Sequence, residues 1–486
     1  MINHYRAWLI LLSAIILYSC QKSEKTLSAY EMIQASLENH GDPLADDLKL
    51  NLEIFCENGI NRGQSLTADP PHEGYPIFSH FEIDRPNQRE VAYHSNEFNG
   101  FVFENLDVLK NGQGRGHDFM SHTHFEINTV RLESHRYLPF RHVRSMLRDS
   151  ATLVYEGLVE ESGNRFHKIS TGTEVPQTIY LDAETMLLRK VETTYINQPY
   201  GDGHVIRYFD NYADFSGLKL AQNVRSGSNY DSWGELYNDF EIRTLETSIE
   251  MPDSAEFTPL VNKHRLAELI ELAPNVHMIE NINKDEFGIY DYNVLVAEFE
   301  DFILVGEAPV SNAISELAIE MITERFPDKP IKYMVQSHHH QDHIGGLRTY
   351  VAIGAEIVTT KSNQGLYERV AKAEFSIRPD SLAKSPREIV FQFADEPWTV
   401  EDGMNKAEVM NIGPIPHVKD MLMIYFPEQK LIWQIDMIAH GEWSHESEPS
   451  RIMKSMIQER QWAVDVIAGV HGGVLQGEEL REYLGD

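Results

Sequence analysis

A chain of 486 residues has room for two or three domains with real hydrophobic cores. Asp and Glu number 75 against 42 Lys and Arg, a formal net charge of −33, so the surface is strongly anionic. That argues against nucleic acid and anionic lipid headgroups as partners.

In chain order, residues 1–19 read as a signal peptide. Arg6 gives a small positive start, Ala7 to Tyr18 is an apolar core, and Leu17-Tyr-Ser-Cys20 follows. This resembles the lipobox of bacterial lipoproteins. The resemblance implies cleavage before Cys20, lipidation of Cys20 and a location in the cell envelope, membrane-anchored and facing the periplasm or the cell exterior. A plain signal peptide or an uncleaved anchor is the alternative, although the apolar run is short of the roughly 20 residues a membrane span needs. Cys56 is the other of two cysteines, so with Cys20 lipidated no intramolecular disulfide forms. Cys56 reads as a small thiol without a role.

Residues 20–27 form a polar tether, and residues 28–260 have β texture: short alternating runs broken by turn signals every ten or so positions. Asn99-Gly100 and Asn111-Gly112 are hairpin dipeptides. Gln177–Leu181 and Leu187–Val191 flank a further hairpin, and His204–Phe209, Leu218–Arg225 and Tyr237–Leu245 read as strands. Helical turns are expected around Ser28–Asn39 and Phe140–Leu147. The expectation is one curved or partly closed antiparallel sheet. Residues 150–260 are similar to the half-barrel of lipoprotein-carrier-like domains, which implies acyl-chain binding. His117, His122, His124, His135 and His142 meet no ligand spacing rule and read as surface or core histidines.

Residues 264–486 change character. Val276–Ile279, Tyr292–Ala297 and Phe302–Val305 are strand-like, and Ser311 is an N-cap for a helix with an apolar stripe of Ile314, Leu317, Met321 and Ile322. Ile331 to Gln336 is a strand that ends just before His338-His-His340-Gln-Asp342-His343-Ile-Gly-Gly346, and Leu347–Ala352 is a short helix closed by Gly354. Neutral imidazoles and a carboxylate in a strand-to-helix loop are good ligands for a borderline divalent cation such as zinc. More such side chains stand at later strand ends. His417 lies 74 residues after His343, Asp436 is 19 further on after Leu431–Ile435, and His471 is another 35 on after Val466–Val470.

His338-x-His340-x-Asp342-His343, followed by His417, Asp436 and His471, resembles the ligand signature of metallo-β-lactamase-fold hydrolases. The resemblance implies an αββα sandwich after the N-terminal β-domain, with the metals at one rim of two packed sheets. It implies two divalent ions, zinc first with iron or manganese as alternatives. His338, His340 and His417 would hold one ion and Asp342, His343 and His471 the other, with Asp436 bridging. Asp342 and Asp436 are then the candidate catalytic carboxylates. Paired cations of this kind generate hydroxide from a shared water at neutral pH and polarise the bond under attack. Many family members carry Asp-x-Gly where this chain reads Gly306-Glu-Ala-Pro309, and no metal ligand is expected there.

His440, Trp443 and His445 follow the bridging Asp and are candidates to line the substrate pocket. The expected function is hydrolysis of an ester, lactone, thioester or related bond in a small molecule. Asp436 resembles the set in lactonases, thioesterases and phosphodiesterases rather than in lactam-cleaving members that lack a bridging carboxylate. Two other readings stand beside it: a mononuclear-iron enzyme of the same fold that oxidises sulfur compounds, and a non-catalytic lipid-binding lipoprotein.

Overall fold

The computed structural model describes residues 27–43, 45–98, 101–119, 123–127, 134–197, 199–230, 234–245, 258–259, 267–282, 292–438 and 447–485. Cys20 and the signal segment, Asn99-Gly100, His122, His440, Trp443 and His445 lie outside them. No helix among the described residues is long and apolar enough to cross a membrane.

The first half is a fourteen-stranded sheet built as two meanders that meet in the middle. Lys49–Gly59 pairs on one side with Tyr75–Asp84, from which hairpins run outward to Thr123–Ile127. On its other side it pairs with Gly234–Thr244, from which the chain steps back strand by strand to Leu153–Glu161. All neighbours are antiparallel except the two-residue strand Thr258–Pro259, parallel to Thr123–Ile127 at one edge. The Asn111-Gly112 turn joins Lys110 to its partner Gln113 with φ of 52° and 75°, the left-handed pair that a two-residue hairpin requires.

Helix Ala29–His40 touches both Leu218–Tyr230 and the edge strand Leu153–Glu161, five places along the order. The sheet therefore curls around it. Ser28 closes a capping box with Glu31 at its start. Met32 and Ile33 of this helix, with Leu138, Phe140, Val143 and Met146, fill the concave face against Leu52, Phe81, Leu181 and Phe209. The inner side expected to hold acyl chains is packed with the protein's own helices.

Two smaller sheets follow. Seven strands run in the order Glu268–Ala273, Val276–Glu280, Val294–Glu298, Ile303–Gly306, Ile331–Val335, Glu356–Thr359 and Phe391–Phe393; the first four are antiparallel and the rest join in parallel. Six more run from Trp398–Glu401 through Lys406–Asn411, Leu422–Phe426, Leu431–Gln434 and Val466–Gly469 to Leu475–Gln476. Both sheets share one core, in which Trp433, Phe426, Leu304 and Val358 are fully buried and to which helices Asn312–Arg325, Lys361–Lys372 and Glu448–Arg460 contribute. The fold is thus a large antiparallel sheet followed by a mixed α+β region.

Several local expectations change. Helix Asn312–Arg325 starts at Ser311, whose hydroxyl accepts from the Ile314 N–H, but Leu317 is 37% exposed and Ser315 is fully buried. A Cβ at Gly346 would lie 1.9 Å from Ser315 Oγ, so a small residue takes the closest approach, while Ile314, Met321 and Ile322 of the expected stripe pack against the core. Asp342 and His343 belong to a short helix, Gln341–Ile344, rather than an open loop. Strands Glu268–Ala273 and Trp398–Glu401 were not anticipated.

Candidate metal centre

Parallel strands place the site. Ile303–Gly306 runs beside Ile331–Val335, and Leu431–Gln434 beside Val466–Gly469. Their carboxyl ends deliver Glu307, the His338 loop, Asp436 and His471, as ligand-bearing loops of parallel sheets generally do. His417 comes from the turn before Leu422–Phe426, and that turn is tied to the His loop by the Leu422 N–H donating to the Ser337 carbonyl at 2.9 Å.

All seven sequence-proposed side chains are brought together. His338, His340, His417 and Asp436 offer ligand atoms within 4.8 Å of one another, and so do Asp342, His343 and His471. Asp436 is the hub. Its Oδ2 lies 3.3 Å from His338 Nε2, 3.0 Å from His417 Nε2 and 3.3 Å from His343 Nε2, while Oδ1 lies 3.2 Å from His471 Nε2. Asp342 joins through Oδ2, 3.4 Å from His343 Nε2.

The loops are held by side-chain amides that the sequence did not flag, those of Gln336, Gln434 and Asn293 buried and that of Asn411 partly so. Gln336 Nε2 donates to the His343 carbonyl at 3.0 Å and to Glu307 Oε2 at 3.2 Å. Gln434 Oε1 accepts the N–H groups of Met437 and Ile438, and its Nε2 donates to the Ile438 carbonyl. Asn293 Nδ2 donates to the carbonyls of Gly469 and Gly472, astride His471. Asn411 Oδ1 accepts from Gly413 and Met421 on the His417 turn. Each amide satisfies backbone groups that would otherwise be buried without partners, so the loops are rigid where the ligands project.

Glu307 is the other residue that sequence reasoning set aside. Its carboxylate is 1% exposed and accepts from the Ser337 N–H at 3.0 Å, and Oε2 lies 3.2 Å from His343 Nδ1. A carboxylate on Nδ1 leaves Nε2 of His343 to face Asp436 and Asp342, the arrangement that orients a ligating imidazole. The strand-end position and acidic character of Glu307 were the available signal.

The electrostatics ask for positive charge. Asp342 and Asp436 both lie within 3.4 Å of one imidazole nitrogen, so the two carboxylates are within about 7 Å of each other and repel by roughly 2 kcal/mol at an effective dielectric constant near 20. Burial presses the pKa of His338 and His340 well below the usual imidazole range, and the neighbouring imidazoles add to it. His343 is buried as well, yet Asp436 and Asp342 outweigh burial and hold its pKa well above that range. Burial alone would raise Asp436, but His343 and the hydrogen-bonding imidazoles take it well below the usual carboxylate range.

The donor set fits divalent cations. His338 Nε2 is buried with no hydrogen-bond partner among the described residues, and it faces Asp436. Neutral imidazoles with carboxylates at hydrogen-bond spacing are the ligand chemistry of zinc and its neighbours.

Comparison with known proteins agrees with this chemistry. Residues 309–432 match the model of the metallo-beta-lactamase superfamily, a span that includes His338 to His343 and His417 and stops short of Asp436 and His471. Among solved structures, the chain is similar to a metallo-beta-lactamase from Pontibacter korlensis, at 18% identity over 45% of this chain and 98% of that one, with a TM-score of 0.35. It is similar to one from Hirschia baltica at 16% identity over 46% and 95%, TM-score 0.34. The FIM-1 metallo-beta-lactamase from Pseudomonas aeruginosa, in its mono-zinc form, matches at 18% identity over 45% and 93%, TM-score 0.32. Residues 309–432 thus match the metallo-beta-lactamase superfamily, and a match at that level supports a metal-dependent hydrolase.

Proposed function

We propose that the protein is a dinuclear metal-dependent hydrolase acting on an ester, lactone, thioester or related bond of a small molecule. The observation that carries this reading is Asp436, one carboxylate approached by four imidazole nitrogens drawn from both ligand groups. His338, His340 and His417 would hold one divalent ion and Asp342, His343 and His471 the other, with Asp436 shared. Zinc is the first choice, with iron or manganese as alternatives. Such ions, once bound, supply Lewis acidity and lower the pKa of water towards neutrality.

The chain's own residues do the remaining work. Glu307 fixes the ring of His343. Tyr292 donates its hydroxyl to Asp342 Oδ2 at 2.9 Å and sets its ring edge-on to His471 with centroids 4.5 Å apart. Asp342 and Asp436 are the candidate catalytic carboxylates, brought to the centre as anionic groups on either side of His343 Nε2. His338, His340 and His343 are at most 1% exposed, which keeps competing water from the ligand atoms and strengthens every interaction among them. The resemblance of Asp436 to the bridging carboxylate of lactonases, thioesterases and phosphodiesterases is what supports those classes over lactams. In this reading Cys20 carries lipid and anchors the protein in the cell envelope, and the anionic surface takes no nucleic acid.

The test is a panel of lactones, thioesters, phosphodiesters and a chromogenic lactam, assayed on wild type and His340→Ala before and after chelation. Turnover by wild type should stop on chelation, return with zinc and be absent from His340→Ala. Equal turnover by both proteins would show that this centre is not its source. For the anchor, Cys20→Ala should move the protein from the membrane to the soluble fraction, and an unchanged distribution would remove lipidation from the account.

A further inference from the structure

The fourteen-stranded sheet sends one segment across to the metal centre. After strand Lys49–Gly59 the chain makes a short helical turn, Arg62–Gln64, and runs on to Asp69 against the His loop. Gln64 Nε2 donates to Asp342 Oδ1 at 2.7 Å. The Ser65 carbonyl lies 2.8 Å from His339 Nε2 and 3.0 Å from His340 Nε2. A carbonyl only accepts, so both imidazoles carry their proton on Nε2. The Leu66 carbonyl accepts from the Lys419 N–H at 2.9 Å, two residues beyond His417. Ala68 is 5% exposed and belongs to the core of the two smaller sheets, and Arg369 pairs with Asp69 at 2.5 Å.

Two of these contacts reach atoms that matter to metal binding. With Nε2–H of His340 given to Ser65, the Nδ1 lone pair is the one left for a cation. With Oδ1 of Asp342 on Gln64 and Oδ2 on Tyr292, the carboxylate plane is fixed from two sides. His339, the middle imidazole of the run and not a proposed ligand, serves to fasten the loop to the same carbonyl. A second tie between the two halves lies elsewhere: Asp202 Oδ2 accepts from Ser376 N and Oγ, both at 2.7 Å, and from Ile377 N at 3.1 Å.

We infer that Gln64 and the Ser65 backbone are positioning groups of the metal centre, so that the N-terminal sheet completes the site rather than accompanying it. This rests on the dinuclear reading above. Gln64 acts on the ion held by Asp342, and Ser65 acts on the ion held by His340. The segment comes from a part of the chain some 275 residues before the ligands it orients, which means the second half alone lacks two of its braces.

The experiment titrates the purified full chain, stripped of metal, with Co(II) followed by its visible d–d bands, and with Zn(II) in competition with a chromophoric chelator. Wild type, Gln64→Ala and Asp202→Asn are compared, the last loosening the other tie without touching a ligand. Wild type should take up two equivalents. Gln64→Ala should bind one of them about 10–100-fold more weakly, the usual cost of losing an outer hydrogen bond to a ligand, with an altered band for that ion alone. Asp202→Asn should titrate like wild type. If Gln64→Ala matches wild type while wild type binds two ions, the positioning role is wrong and the dinuclear reading stands. If Asp202→Asn weakens binding as much as Gln64→Ala, the effect is general docking and the positioning role is again wrong. Wild type that binds no metal would overturn the reading underneath.

Discussion

Glu307 Oε2 lies 3.2 Å from Nδ1 of His343, both side chains buried. The side chain reaches from the end of strand Ile303–Gly306 to the back of a proposed ligand. Glu307→Gln should keep the contact with the Ser337 N–H but lose the charge that orients His343, and weaken metal binding about 10–100-fold. Glu307→Ala should in addition destabilise the fold by roughly 1–3 kcal/mol for each donor left unpaired. Chelator competition and urea denaturation read the two effects separately, and equal metal affinity in Glu307→Gln would remove Glu307 from the site.

Arg348 is 2% exposed and meets Asp380 through Nε at 2.5 Å and Nη2 at 3.0 Å, while Nη1 donates to the carbonyls of Val370, Ala371 and Ala373. It locks helix Leu347–Ile353, directly after the His loop, to helix Lys361–Lys372. Arg348→Met leaves Asp380 and three carbonyls buried without their donor and should cost about 3–5 kcal/mol. A loss under 1 kcal/mol in denaturant unfolding would show that the pair is not structural.

Two histidines on helices packed against the large sheet make stability depend on pH. His40 donates from Nδ1 to the Lys219 carbonyl at 2.9 Å and accepts the Leu188 N–H on Nε2 at 3.2 Å, which fastens helix Ala29–His40 to two strands. Burial lowers its pKa to about 4, and burial followed by nearby arginines lowers His142 to about 4 as well. The unfolded chain titrates near 6.5, so between 6.5 and 4 it binds more protons than the folded chain. Stability is therefore full above 6.5 and falls as pH drops towards 4, by up to ~3 kcal/mol for each histidine. Denaturation midpoints between pH 7.5 and 5 should show the fall, and His40→Asn should reduce its slope; a flat profile contradicts both assignments.

Gly345 sits where a Cβ would meet the Val310 carbonyl oxygen at 2.1 Å, and the Val310 N–H in turn donates to the Asp342 carbonyl at 2.7 Å. Backbone cannot yield as a flexible side chain can. Gly345→Ala should push the Asp342 turn off its seat, with loss of metal affinity beyond any loss of stability. Wild-type metal content in Gly345→Ala would mean that the loop relaxes without consequence.

How much of this was legible differs by residue. The seven proposed ligands could be read because the spacing His338-x-His340-x-Asp342-His343, with His417, Asp436 and His471 in order after it, resembles a known ligand signature. Asn111-Gly112 could be read because its conformation is a local property of two residues. Gln336, Gln434 and Asn293 could not, because an amide next to a strand says nothing of which loop it will fasten. The stripe on helix Asn312–Arg325 could be read for Ile314, Met321 and Ile322, which pack against the core, but not for Leu317, since the approach of Gly346 puts Ser315 inside and Leu317 outside. Gln64 and Ser65 were beyond reach, because their partners lie across the whole of the large sheet in sequence.

The most direct test of the account is a crystal structure of the protein grown with zinc, with anomalous data collected at the zinc edge. The account predicts two peaks roughly 3.5–4 Å apart, one ringed by His338, His340 and His417, the other by Asp342, His343 and His471, with Asp436 reaching both. A single peak that leaves either ring empty, or zinc bound only away from Asp436, would contradict it.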